Sequence, residues 1–155
     1  MNNLAIKLKI IPILSAYFIF SNPLIAEVIR DDRTGTATDQ QTAIEWLDIQ
    51  QIVRLTWPNA IRYCEELEIE HKSDWRLPNL NEFKSILFRS DQSKPIKTGF
   101  ENFTLLQYWT STTLSGDRDR AWFVNLDNGG FIHTNTKSSM NYVKCIRGGQ
   151  MEIEP

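Results

Sequence analysis

With 155 residues, 17 basic and 19 acidic side chains, the chain has a formal net charge of −2 and the length of one domain. That balance excludes a general attraction for nucleic acid or anionic membranes, so any anion site has to be a local patch. Two cysteines and two histidines, with no Cys-x2-Cys or His-x3-His pair, give no zinc-ligand spacing, and neither metal nor cofactor is expected.

The chain opens on "MNNLAIKLK", which carries Lys7 and Lys9 and no acid, then the apolar run "IIPILSAYFIF", then "SNPLIA". This is the order of a secretory signal peptide, expected over residues 1–26 with the cut after Ala26. Pro12 and Pro23 break the run, which falls short of the roughly 20 apolar residues of a membrane span; an uncleaved anchor is the alternative. Export to the periplasm or the cell surface follows as an expectation. Loss of Lys7 and Lys9 takes the net charge from −2 to −4. The domain itself is expected at 27–150, with 151–155 as a short tail.

Residues 27–43 are polar and turn-rich, and "AIEWLDI" reads as a strand. "TWPNAIRYCEELEI" predicts a helix: Thr56 stands at the cap, Pro58 in the first turn, and Trp57, Ala60, Ile61, Cys64 and Leu67 recur on one face. "HKSDWRLPN" ends it. A second helix follows, with Asn79 and Glu82 at capping-box spacing and Leu80, Phe83, Ile86 and Leu87 facing inward. Residues 90 to 107 are irregular. Beyond them "YWTST" and "AWFVNL" are strand-like, and "DNGG" marks a hairpin turn of the Asn-Gly kind before "FIHT". In "AWFVNL", Trp122, Val124 and Leu126 share a face. In "YVKCIR", Val143 and Cys145 point one way and Tyr142, Lys144 and Ile146 the other. Helices followed by antiparallel strands make the fold class α+β.

Catalytic constellations are absent from the pattern. Ser111, Ser115, Ser138 and Ser139 lack a nucleophile elbow. Acidic neighbours such as Glu65–Glu66 and Asp31–Asp32 read as solvated charge, and no phosphate-binding glycine loop occurs. "NLDNGG" has the composition of a calcium loop without its ligand spacing. His71 and His133 are unpaired. Arg118 and Arg120 in "SGDRDR", with Lys137 in "NTKSS", are the candidate ligand-binding residues, a small cationic patch on loops, although Asp117 and Asp119 interleave with the arginines. Trp109 and Trp122 have the chemistry to stack on a sugar but sit at core spacing. Asn102-Phe-Thr104 has the form of a glycosylation acceptor.

Cys64 lies on the inner stripe of its helix, and Cys145 shares a strand face with Val143. In an exported chain two core-facing cysteines favour a disulfide over two free buried thiols or a reactive thiol. The bridge would close a loop of roughly 80 residues, worth roughly 4.5 kcal/mol in the chain-entropy model.

In order, "GTATDQQTAIEWLD", "TWPNAIRYCEEL", "DWRLPNLNEF", "YWTSTT", "AWFVNLDNGG" and "YVKCIRGG" resemble the bacterial domain found at the C-terminus of the Lcl collagen-like adhesin, over residues 35–149. The resemblance implies a C-type-lectin-like fold, two helices packed on antiparallel sheets, with the helix cysteine Cys64 bridged to Cys145 in the last strand. It also implies a non-enzymatic recognition or adhesion domain, with a sulfated polysaccharide or an envelope protein as partner and a trimer as the assembly. A structural part of an envelope complex is the alternative. The ending "RGG" is similar to that of formylglycine-generating proteins, an enzyme class that needs both thiols free. The chain has no collagen-like Gly-X-Y region, and no Glu-Pro-Asn or Gln-Pro-Asp signature of calcium-dependent lectins.

Overall fold

Short runs rich in Val, Ile, Trp, Phe and Thr, punctuated by Asp, Asn and Gly, give nine strands and two helices among the described residues. They are seen in a computed structural model that describes residues 27–88 and 95–149; the expected signal peptide at 1–26 and the tail at 151–155 lie outside the described residues. In chain order the elements are β1 (Val28–Asp31), β2 (Thr36–Asp39), β3 (Ile44–Leu47), β4 (Arg54–Thr56), α1 (Trp57–Glu65), α2 (Leu80–Ser85), β5 (Gln107–Leu114), β6 (Asp117–Asn125), β7 (Phe131–Thr136), β8 (Met140–Tyr142) and β9 (Ile146–Gly148). One sheet runs β1-β2-β3-β9, the other β4-β8-β5-β6-β7. The fold is α+β and C-type-lectin-like, as expected. The sheets are antiparallel except where β5 meets β8, which pair in parallel through Tyr108 and Tyr142.

The polar stretch 27–43 is not only turns: it holds β1 and β2, paired from Val28–Asp39 to Asp31–Thr36. Its polar residues become strand residues because distant groups satisfy them. Asp39 is fully buried and receives the Lys97 ammonium at 3.2 Å and the Thr42 hydroxyl at 2.7 Å.

The final "YVKCIR" is not one strand. β8 belongs to the larger sheet and β9 to the smaller, and Val143, Lys144 and Cys145 cross between them. All three are buried, so a two-residue alternation does not describe them. The Val143 amide donates to Val53 and the Cys145 carbonyl accepts from Leu47, which holds the crossing segment to both sides. The turn after β6 also differs, running over residues 126–130, longer than a two-residue Asn-Gly hairpin. Gly129 and Gly130 adopt left-handed φ values of 62° and 78° there. In β6 the faces alternate as expected, but both are covered. Ala121 and Phe123 pack with α1 and the cysteines, while Val124 and Leu126 pack with α2.

The crossing segment carries the clasp. Cys64 and Cys145 form a disulfide with a Cα–Cα distance of 5.5 Å, and both are essentially inaccessible. Ala60, Trp75, Leu77 and Trp109 surround it, with Trp57, Ile61 and Leu67 packed alongside. Thr56 caps α1 by position only. Its side chain makes no cap bond, and the Trp57 amide donates instead to the Lys137 carbonyl at 3.0 Å.

α2 follows its sequence signal closely. The Asn79 side chain accepts from the Asn81 and Glu82 amides, and Glu82 reaches back to the Asn79 amide at 2.7 Å. Glu82 also receives both ends of the Arg76 guanidinium, at 2.8 and 2.6 Å, and Arg76 donates to Gly148 at 3.2 Å. The "WRLPN" run therefore ties the start of α2 to the end of the last strand. Asn79→Ala is expected to cost about 1 kcal/mol, read as a lowered urea midpoint.

A polar seam lies between the smaller sheet and the loop before β5. Asp48 is fully buried, pairs with Arg30, and accepts the Glu101 and Asn102 amides at 2.8 Å each. Beside it Lys144, 5 % exposed, donates to the Ile49 carbonyl at 3.0 Å and stands 5.0 Å over the Phe103 ring. Burial, opposed by Asp48 and reinforced by Arg30, pushes the Lys144 pKa down from 10.5 to about 8. Between those values the unfolded chain binds more protons than the fold, so the contribution of Lys144 to stability grows as pH rises and is lost as pH falls through 8. Comparing urea stability with Lys144→Met, the wild type should gain roughly 2 kcal/mol on the variant between about pH 7 and about pH 9.5. A flat difference contradicts the assignment.

Candidate functional site

The three cations singled out in the sequence do not form one patch. Arg118 and Arg120 lie within β6 rather than in a loop, because the hairpin β5–β6 extends further than the polar composition of "SGDRDR" indicates. Arg118 is exposed and pairs with no carboxylate among the described residues. Arg120 donates to the Thr134 carbonyl at 2.8 Å and to its hydroxyl at 3.1 Å. Ala121 faces α1, so Arg120 faces away from it. Lys137 reaches the α1 side, donating to Thr113 at 2.9 Å with its ammonium 4.0 Å over the Trp57 ring. Alternation along β6 therefore separates Arg120 from Lys137, and each already has neutral partners.

Trp109 is fully buried and its indole donates to the Leu55 carbonyl at 3.0 Å, which removes it from any ligand. Trp122 is half-buried in β6. His71 is exposed in a tight turn at φ 63°, and His133 in β7 stacks between Phe123 and Phe131. The Asn102 side-chain amide donates to the Asp48 carbonyl at 2.7 Å, so the glycosylation-type nitrogen is engaged within the fold. Both cysteines are consumed in the bridge.

Sequence reasoning passed over a cleft of about 250 Å³ at the end of the larger sheet. It opens where β8 diverges from β5 beyond their single bridge. Asn125 stands opposite Gln107 in the antiparallel register. Asn141 precedes Tyr142 as Gln107 precedes Tyr108, so the parallel register brings it level with Gln107. Three side-chain amides thus cross three adjacent strands, and all three line the cleft. Asn141 is 2 % exposed, and its Nδ2, like Asn125 Oδ1, is buried without a hydrogen-bond partner. Asp127 and Arg54 stand at the rim, with Arg54 donating to the Met140 carbonyl at 3.2 Å and lying 5.8 Å from the Tyr142 ring. Its only sequence signal is Asn or Gln at strand positions, which is too common to single out without the register.

Among the described residues no helix is long and apolar enough to cross a membrane. No curated protein matches the chain in sequence. A family model for the Lcl C-terminal domain matches residues 35–147. That span begins at the turn into β2, takes in both helices and the bridged cysteines, and ends in β9, so the chain belongs to the Lcl C-terminal domain family.

Proposed function

We propose that the protein is an exported, non-enzymatic recognition domain that binds a glycan or a protein at the cell envelope. The observation that carries this reading is the buried Cys64–Cys145 bridge. It fits an oxidising compartment, as does the signal-peptide pattern of residues 1–26. It also takes up both thiols, so the reactive cysteine pair that formylglycine-type chemistry needs is not on offer. What remains is a two-sheet scaffold pinned from α1 to the segment that crosses between the sheets, with a polar cleft at one end.

Fractionation of the producing cells, with mass spectrometry of the N-terminus and of the bridge, tests the compartment. An unprocessed, reduced chain in the cytoplasm overturns it. The recovered protein is then taken to a glycan and heparin array at low salt, and to crosslinking in intact envelopes. Binding to a glycan, or one dominant crosslinked envelope protein, supports recognition, and silence in both refutes it. Because Arg120 and Lys137 are on opposite faces with partners of their own, the Arg118→Ala/Arg120→Ala/Lys137→Ala variant is expected to lose heparin binding only partly, in small increments per residue.

A further inference from the structure

We infer that the cleft between β5 and β8 is a binding site for a neutral, hydroxyl-rich ligand about the size of one sugar ring. The inference rests on the recognition reading above and names the site and ligand chemistry for it.

Buried polar atoms in native folds are nearly always paired, because an unmade bond costs most of the group's desolvation. Here one cleft holds two that are not: an acceptor, Asn125 Oδ1, and a donor, Asn141 Nδ2. Gln107 lies between them in the register with a further donor and acceptor. A group that donates and accepts at once answers both open atoms, and a hydroxyl does both at a single atom where an amide needs two. Sulfate and carboxylate only accept, so they would leave Asn125 Oδ1 unpaired, and an ammonium only donates, so it would leave Asn141 Nδ2 unpaired. Arg54 and Asp127 at the rim are of opposite sign and favour neither charge.

Size and lining agree with this chemistry. The volume of about 250 Å³ far exceeds the roughly 30 Å³ share of one water and falls below the roughly 300–1,000 Å³ of sites for larger organic ligands. Leu105 and Met140 border the cleft and are each 47 % exposed, an apolar edge for the C–H face of a ring. Both unpaired atoms belong to residues that line the cleft, and each is itself covered from solvent. The asparagine terminal torsion is broad and soft, so a small rotation turns them to an incoming hydroxyl.

The test is a titration of the ¹⁵N-labelled, oxidised full chain with glucose, galactose, mannose and N-acetylglucosamine, and with a heparin oligosaccharide as the anionic comparator. At least one neutral sugar should shift the side-chain amide resonances of Gln107, Asn125 and Asn141 at millimolar concentration, and heparin should leave them in place. The Asn125→Leu/Asn141→Leu pair should hold or raise the thermal midpoint, since it removes two unpaired buried polar groups, while weakening sugar binding at least about tenfold. Gln107→Ala, at an exposed position, should weaken it separately and covers the case in which the pair does not fold. Amide resonances unmoved by every neutral sugar, or sugar binding that survives both variants, overturn the cleft as the site, as does pairing by water alone. If the array still shows a ligand in that case, the recognition reading stands and only the cleft falls; a chain silent on array and crosslinking loses both.

Discussion

Replacing both cysteines, as Cys64→Ala/Cys145→Ala, should lower stability by about 4 kcal/mol and the thermal midpoint by roughly 12–20 °C. The bridge spans a sequence separation of 81 residues, so its loss frees a long loop in the unfolded chain. Both sulfurs also lie at the centre of the larger core, so truncation leaves space beside Trp75 and Trp109. Differential scanning calorimetry of the variant, with the wild type oxidised and reduced alongside, measures the effect. A midpoint within a few degrees of the wild type would mean the clasp contributes little, and the core packing alone would have to hold α1 to the crossing segment before β9.

The second large effect is expected at Asp48, where the cost comes from broken pairing. Asp48→Ala deprives the half-buried Arg30 guanidinium and the Glu101 and Asn102 amides of their acceptor at one stroke. Removing one side of a buried, hydrogen-bonded ion pair costs about 3–5 kcal/mol. Arg30 keeps Asp32 and Glu101 as partners, so the loss is expected at the lower end and comes mainly from the two amides left without an acceptor. Asp48→Asn, which keeps one acceptor oxygen, should cost distinctly less. The loop it anchors runs on through Asn102 and Phe103 to Leu105 and Leu106 at the cleft. Faster hydrogen exchange at the Glu101 and Asn102 amides should therefore accompany the loss of stability. Unchanged exchange there would show that other contacts hold this loop.

The parts of the fold legible in the sequence are those whose cause is local. The α2 cap is read from Asn79 and Glu82 three residues apart, and the structure adds only that Arg76 grips the same glutamate. The inner stripe of α1 is read from helical spacing, and Ala60 and Cys64 are indeed its buried residues. By contrast, β1 and β2 were hidden in polar composition because the buried acid of β2, Asp39, is answered by Lys97, far along the chain. The break in "YVKCIR" was equally invisible, since a strand-forming composition does not reveal that its two halves join different sheets. Arg118, Arg120 and Lys137 looked like neighbours in sequence terms, and the pleat of β6 parts the arginines from Lys137.

The sequence by itself determined the fold class, the family motifs in their order, the second helix and the pairing partner of each cysteine. These follow from periodicity, capping chemistry and resemblance, all carried by residues close in the chain or matched motif by motif. Only the tertiary structure decided which polar groups are left open. Whether Asn125, Gln107 and Asn141 stand in one row depends on the registers of β5 with β6 and with β8. A register is a long-range pairing between strands, and no window of sequence around any of the three amides contains it.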